Sequence, residues 1–302
     1  MKTMNLYIAV FLLMLSVAGC VKKEDAITPK TDPEQVYGDH TLPQGDHEYD
    51  TELVALYKKY NTLILYKYLP KDVYWNVNNS IEVFYDENTN RTVAGYQYTP
   101  AEEAYIRPQL NLLKEQVFKY FPDEFLKKNL PRKILLMDKF FYVYGGTGRP
   151  EQQSKFPYAG TLGFDYLGIT GGNAGITGMT PEQKRAWRVE IIAAFLQKLT
   201  NDGVIPRISA FTALTNYSLA MPTNEAMYGN GIIILAYRTP NYDWDAYLKM
   251  LTTTTDAALN APGGFWNPGI DNKGTIRKKS DVMINYYKTK YNIDLRAIAN
   301  DL

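Results

Sequence analysis

The stretch TPEQKRAWRVEIIAAFLQKL, residues 180–199, decides the fold. Thr180 caps a helix, Pro181 occupies its first position, and Gln183 reaches back to complete a capping box. From Val189 to Leu196 the sequence is apolar over most of the helical surface. That pattern predicts a buried central helix, with Gly203 just past its end.

Upstream, residues 159–178 are glycine-rich, and Gly168-Ile169-Thr170-Gly171 is echoed by Gly175-Ile176-Thr177-Gly178. The echo predicts short strands with a tight turn at Gly172-Asn173. A phosphate-cradling loop would need a lysine and a spacing that are missing. Residues 63–68, 80–85, 134–137 and 140–144 also read as strands, and residues 51–60 as a helix. Thr99-Pro100-Ala101-Glu102 reads as the start of a helix toward Phe121, with threonine as cap and acid in the first turn. Downstream, residues 208–217 and 242–253 read as helical. A last helix over residues 280–291 takes Ser280 as cap and Asp281 in its first turn. Strands and helices gathered around one buried helix predict an α+β domain with a small mixed or antiparallel sheet and a helical C-terminal part.

The N-terminus carries a different signal. Lys2 precedes an uncharged apolar run, residues 6–15, too short to span a bilayer. Val17-Ala18-Gly19-Cys20 then fits the lipobox of bacterial lipoprotein signal peptides, so cleavage before Cys20 and lipid on its thiol are expected. Cys20 is the single cysteine in the chain. No disulfide can form within the chain, and no thiolate is left for metal or catalysis. One lipid chain holds a protein weakly, but a bacterial lipoprotein carries several. Residues 20–48, broken by Pro29, Pro33, Gly38, Pro43 and Gly45, read as a flexible tether. The expected organisation is a signal peptide over 1–19, a tether over 20–48 and a folded domain over 49–302.

Loss of the signal peptide removes Lys2 and leaves 32 basic and 32 acidic residues, a formal charge of zero. No basic stripe points to nucleic acid. Tyrosine is abundant, at 25 residues with 4 tryptophans. β-structure accounts for such a content, and so does a surface that stacks on sugars or grips a protein. Gly263-Gly264-Phe265-Trp266-Asn267-Pro268-Gly269 places two aromatics on a loop. Exposed, Phe265 and Trp266 would stack on a ligand, with Trp244 as a further candidate; buried, they plug the core.

The order of elements resembles the substrate import-associated zinc metallohydrolase lipoproteins of Bacteroidetes. Tyr98-Thr99-Pro100-Ala101-Glu102-Glu103 followed by Ile106-Arg107-Pro108 looks like that family's helix entry. The run DVMINYYKTKYNID, residues 281–294, looks like its C-terminal helix and stop. The resemblance spans roughly residues 52–302 and implies a zincin-like domain, an outer-membrane location and a TonB-linked importer as neighbour. Its defining motif is His-Glu-x-x-His on the buried helix, where two histidines one turn apart hold zinc and the glutamate activates water. Here the matching positions are Ile191, Ile192 and Phe195. Tyr242-Asp243-Trp244-Asp245-Ala246 lies where active relatives carry an acidic stretch. The chain's histidines are His40 and His47, both within the expected tether.

A catalytic zinc needs about three protein ligands, usually histidine and carboxylate. The expectation is therefore no zinc, no catalytic residues and a former site filled with hydrocarbon. The expected role is an accessory or binding component of a nutrient-import system, facing the surface or the periplasm, with a peptide or glycan ligand. The rival expectation is an active hydrolase, of the zinc peptidase family or a carboxylate-based glycan hydrolase, with Asp243 and Asp245 as its acids.

Overall fold

The computed structural model describes residues 36–37, 39–74, 81–163 and 165–302. The signal peptide, Cys20 and most of the tether lie outside the described residues. The chain divides into two units, residues 1–41 and 42–302. In the first, Val36–Tyr37 and His40–Thr41 pair as a short antiparallel hairpin.

The second unit starts earlier than residue 49. Leu42 is buried, and the Gln44 side chain accepts from the Tyr66 N–H at 2.9 Å. The first helix, α1 (Glu48–Tyr60), has His47 at its cap position. Prolines and glycines made this entry read as tether, but Leu42 and Gln44 pack it against the domain.

Six strands build the main sheet: β1 (Leu63–Leu65), β2 (Gly95–Pro100), β3 (Lys133–Val143), β4 (Lys155–Pro157), β5 (Gly160–Leu162) and β6 (Tyr166–Ile169). The long β3 organises it. Its first half pairs in parallel with β1 and β6, and β5 adds an antiparallel edge beyond β6. Its second half pairs antiparallel with β2 and β4. The continuous apolar run Ile134–Met137 suits parallel strands covered on both faces, and all four residues are buried. The sequence reads β3 as two strands because Asp138-Lys139 interrupts it. The backbone runs straight through: Asp138 is buried and bonded to Asn173, while Lys139 points to solvent. Three short strands, Phe84–Asp86, Arg91–Val93 and Gly146–Thr147, form a separate antiparallel sheet.

Thr99-Pro100 ends β2 rather than opening a helix. A 3-10 turn at Glu103–Tyr105 leads into α2 (Ile106–Gln116). The second glycine echo is also not a strand, since Ala174–Gly178 is a 3-10 turn capped by Asn173. The buried helix is α3 (Pro181–Asn201). Thr180 accepts from the Gln183 N–H at 3.3 Å, and Gln183 returns the bond at 2.9 Å, as the capping box requires. Edge strand β5 lies close on α3: a Cβ at Gly160 would stand 2.8 Å from Ile191 Cγ1 and 3.0 Å from its Cα. Only glycine permits that approach.

Beyond α3, helix covers Ser209–Thr212 alone of the expected 208–217 segment. Then come α4 (Pro240–Thr253), α5 (Thr275–Tyr291) and α6 (Leu295–Asn300). Ser280 is interior to α5 and buried; its hydroxyl donates to the Ile276 carbonyl at 2.9 Å. The start of α5 is held instead by Asp271, which accepts from the Ile276 and Arg277 N–H groups at 2.9 and 2.7 Å. The architecture is α+β, with α3 packed between the sheet and the C-terminal helices. No helix among the described residues is long and apolar enough to cross a membrane.

Candidate functional site

The faces of α3 differ sharply. Ile191, Ile192, Phe195 and Leu199 are buried, and Phe195 packs edge-on against Phe121 with ring centroids 5.6 Å apart. The three motif positions taken from the sequence therefore lie in the core, as hydrocarbon should. Phe195, with Leu199, also lines a small hollow of about 240 Å³ near Arg132. The opposite stripe, Gln183, Ala186, Glu190, Gln197 and Asn201, is exposed, with Ala194 half-buried within it. These positions recur every three or four residues and so share one side of the helix.

Two clefts open along that stripe. One of about 430 Å³ lies between the first turns of α3 and the Ala159 and Gly171–Ile176 segments, with Trp187 and Glu190 on its wall. The larger, about 630 Å³, lies between the last turns of α3 and the first turns of α4. Gln197 and Asn201 form one wall of it; Asn241, Tyr242, Asp245, Ala246 and Lys249 form the other. Arg207 crosses its floor, donating to Asp245 at 2.9 Å and to Asn201 at 2.5 Å. The cleft is open and lined mainly by polar side chains.

Asp243 and Asp245 do not form a carboxylate pair. They sit in the first turns of α4. Asp243 is buried and bonded to the ammonium of Lys279 and the hydroxyl of Tyr217. Burial pushes the Asp243 carboxyl up and the Lys279 ammonium down to about 8, each opposed by the other's charge. Phe211 and Tyr247 flank the ammonium, at 4.5 and 4.6 Å from their ring centres. This pair pins α4 to α5. Asp245 faces the cleft and is held by Arg207.

The aromatic candidates are core residues. Trp244 is fully buried, edge-on to Phe211 at 5.1 Å. Trp266 is buried too: its indole N–H donates to Ser280 at 3.0 Å, and Arg277 lies over its ring at 4.1 Å. Phe265 is half-buried against Tyr228. The loop plugs the core, so Trp244 and Trp266 are not available for stacking on a ligand. The sequence misses the exposed aromatic that does meet a cleft, Tyr242, 56% exposed at the start of α4.

His47 is not in a tether. Its Nδ1 meets Asp50 at 3.0 Å and its Nε2 meets Glu103 at 2.5 Å. Its ring stacks on Tyr49 at 4.7 Å, and Tyr66 donates to the same Asp50 carboxylate at 2.9 Å. The hydrogen bond that the ring donates to Asp50, aided by Glu103, raises the imidazole above its usual 6.5. Both ring nitrogens are thus committed to carboxylates, leaving neither free for a metal. Among the described residues, no group of three or more histidine, cysteine or acidic side chains could hold a metal ion.

No family model matches the sequence, and no curated protein matches it. Among solved structures, the fold is similar to that of a candidate zinc-binding metallo-peptidase from Bacteroides caccae. The two chains are 13% identical over 83% of this chain and 88% of that one, with a TM-score of 0.47.

Proposed function

We propose that the protein is a lipid-anchored, non-catalytic binding component of the bacterial cell envelope, on a zincin-like domain whose metal chemistry has been lost. The observation that carries this reading is the open cleft between α3 and α4, about 630 Å³, with amides on both walls. The positions matched to the motif, Ile191, Ile192 and Phe195, are buried hydrocarbon and offer no metal ligand. The cleft itself is lined by the amides Gln197, Asn201 and Asn241 and holds no imidazole. The cleft's one acid, Asp245, is neutralised by Arg207. This donor set does not fit zinc, which takes nitrogen, thiolate and carboxylate ligands.

Anchoring rests on Val17-Ala18-Gly19-Cys20, with lipid on Cys20 holding the protein to the outer membrane. An accessory role beside a TonB-linked importer follows from the family resemblance, with a peptide or glycan as the bound molecule. Metal analysis of the purified protein tests the central claim. No stoichiometric zinc is expected, and a chelator should leave the melting temperature unchanged. One tightly bound zinc per chain, or metal-dependent peptidase activity, would overturn it. Lipid labelling that persists in Cys20→Ala would remove the anchor.

A further inference from the structure

We infer that the cleft between α3 and α4 is a saccharide-binding site. This rests on the reading of that cleft as a binding site and names the class of ligand it takes. Its volume of about 630 Å³ is that of an ordinary small-molecule pocket. What distinguishes it is the chemistry of its walls.

Gln197 on α3 and Asn241 on α4 face each other with no hydrogen bond from either side chain among the described residues. Asn201 spends its carbonyl on Arg207, which leaves its NH2 group for a ligand. Each planar amide offers donors and an acceptor side by side. Vicinal hydroxyls of a sugar ring are likewise donor and acceptor at once, so amides match them without any net charge. Asp245, fixed by Arg207, adds an oriented carboxylate acceptor at the floor. At the rim stands the exposed ring of Tyr242. An aromatic face attracts the positively polarised C–H bonds on the flat side of a pyranose, and its hydroxyl stays wet.

A peptide fits this cleft less well. An extended peptide gains most of its affinity by pairing its backbone with a strand edge and seating alternate side chains in apolar pockets. The cleft is walled by two helices, no strand lines it, and Ile234 is the large aliphatic side chain at its border.

The test uses the full-length lipoprotein in phosphocholine micelles. It is probed on an array of hexose, hexosamine and uronate oligosaccharides and, in parallel, on a hexapeptide library. The strongest oligosaccharide is then titrated by calorimetry and recovered for analysis. Saccharide binding is expected, weakened roughly tenfold by Tyr242→Ala and roughly fivefold by Gln197→Ala. Melting temperatures of both variants should stay at the parent value, so that a lost fold is not mistaken for lost contacts. Trp187→Phe, in the neighbouring cleft, should bind as the parent does. No saccharide bound, peptides bound instead, or saccharide binding indifferent to both substitutions would each overturn the inference and leave the non-catalytic reading standing. A recovered oligosaccharide that has been cleaved would do the reverse, keeping the ligand class and ending the non-catalytic reading.

Discussion

Two sides of the same helix, α3, have opposite characters. On one, Ile191, Ile192 and Phe195 are sealed from water, each contributing about 1.5–3 kcal/mol by burial. On the other, Gln197 and Asn201 line a cleft wide enough for a ligand. The sequence reads as uniformly apolar between these sides because Ala193 and Ala194 score as hydrophobic. In the fold the two part ways: Ala193 is nearly buried, while Ala194 is half-buried within the exposed stripe.

The contrast can be broken or sharpened by substitution. Phe195→Ala should cost about 3–5 kcal/mol in chemical denaturation, the range for deleting a buried aromatic. A loss below roughly 1 kcal/mol would mean that the core side of α3 is as loose as the cleft side. Trp266→Ala should fall toward the lower end of that same range, about 3 kcal/mol, because its ring also meets Arg277 near the surface. An unchanged melting temperature there would return the 263–269 loop to the list of ligand-binding surfaces. On the cleft side, Gln197→Ala and Asn201→Ala should each shift stability by no more than about 0.5 kcal/mol. Cooperative destabilisation by either would show that the amides are structural.

The smallest effect belongs to His47. Its folded-state pKa lies above 6.5, so its contribution is fully present below pH 6.5 and fades as pH rises through the raised value. Stability should therefore decline slightly as pH rises above 6.5, and His47→Gln should remove that part of the slope. An identical slope in parent and variant would show that the imidazole is not held by Asp50 and Glu103.

Local signals were legible in the sequence where the causes are local. The capping box of Thr180 and Gln183 placed the start of α3 to the residue, and the apolar run of β3 marked a covered strand. Signals failed where the partner is distant. Ser280-Asp281 has the look of a cap, but the group that holds α5 is Asp271, well upstream of it. Asp138-Lys139 looked like a break because its buried carboxylate is answered by Asn173, from another segment. Which side of α3 meets solvent was not legible for a related reason: Ile191 and Ala194 are equally apolar to a periodicity argument, and only the fold shows Ile191 sealed and Ala194 half-buried. The domain's first residues were lost to prolines and glycines, although Gln44 ties that entry to the strand region.

One buried residue sets an order of events. Arg188, in the middle of α3, has no exposed surface, and its guanidinium donates to Gln116 on α2 and to the carbonyls of Ile298 and Asp301 in the final segment. Its neighbour Arg185 donates to Ala299 at 2.6 Å. An arginine cannot be enclosed until its partners are present, since the bare charge would cost several kcal/mol. The central helix thus has no finished environment until residues near 300 have been made.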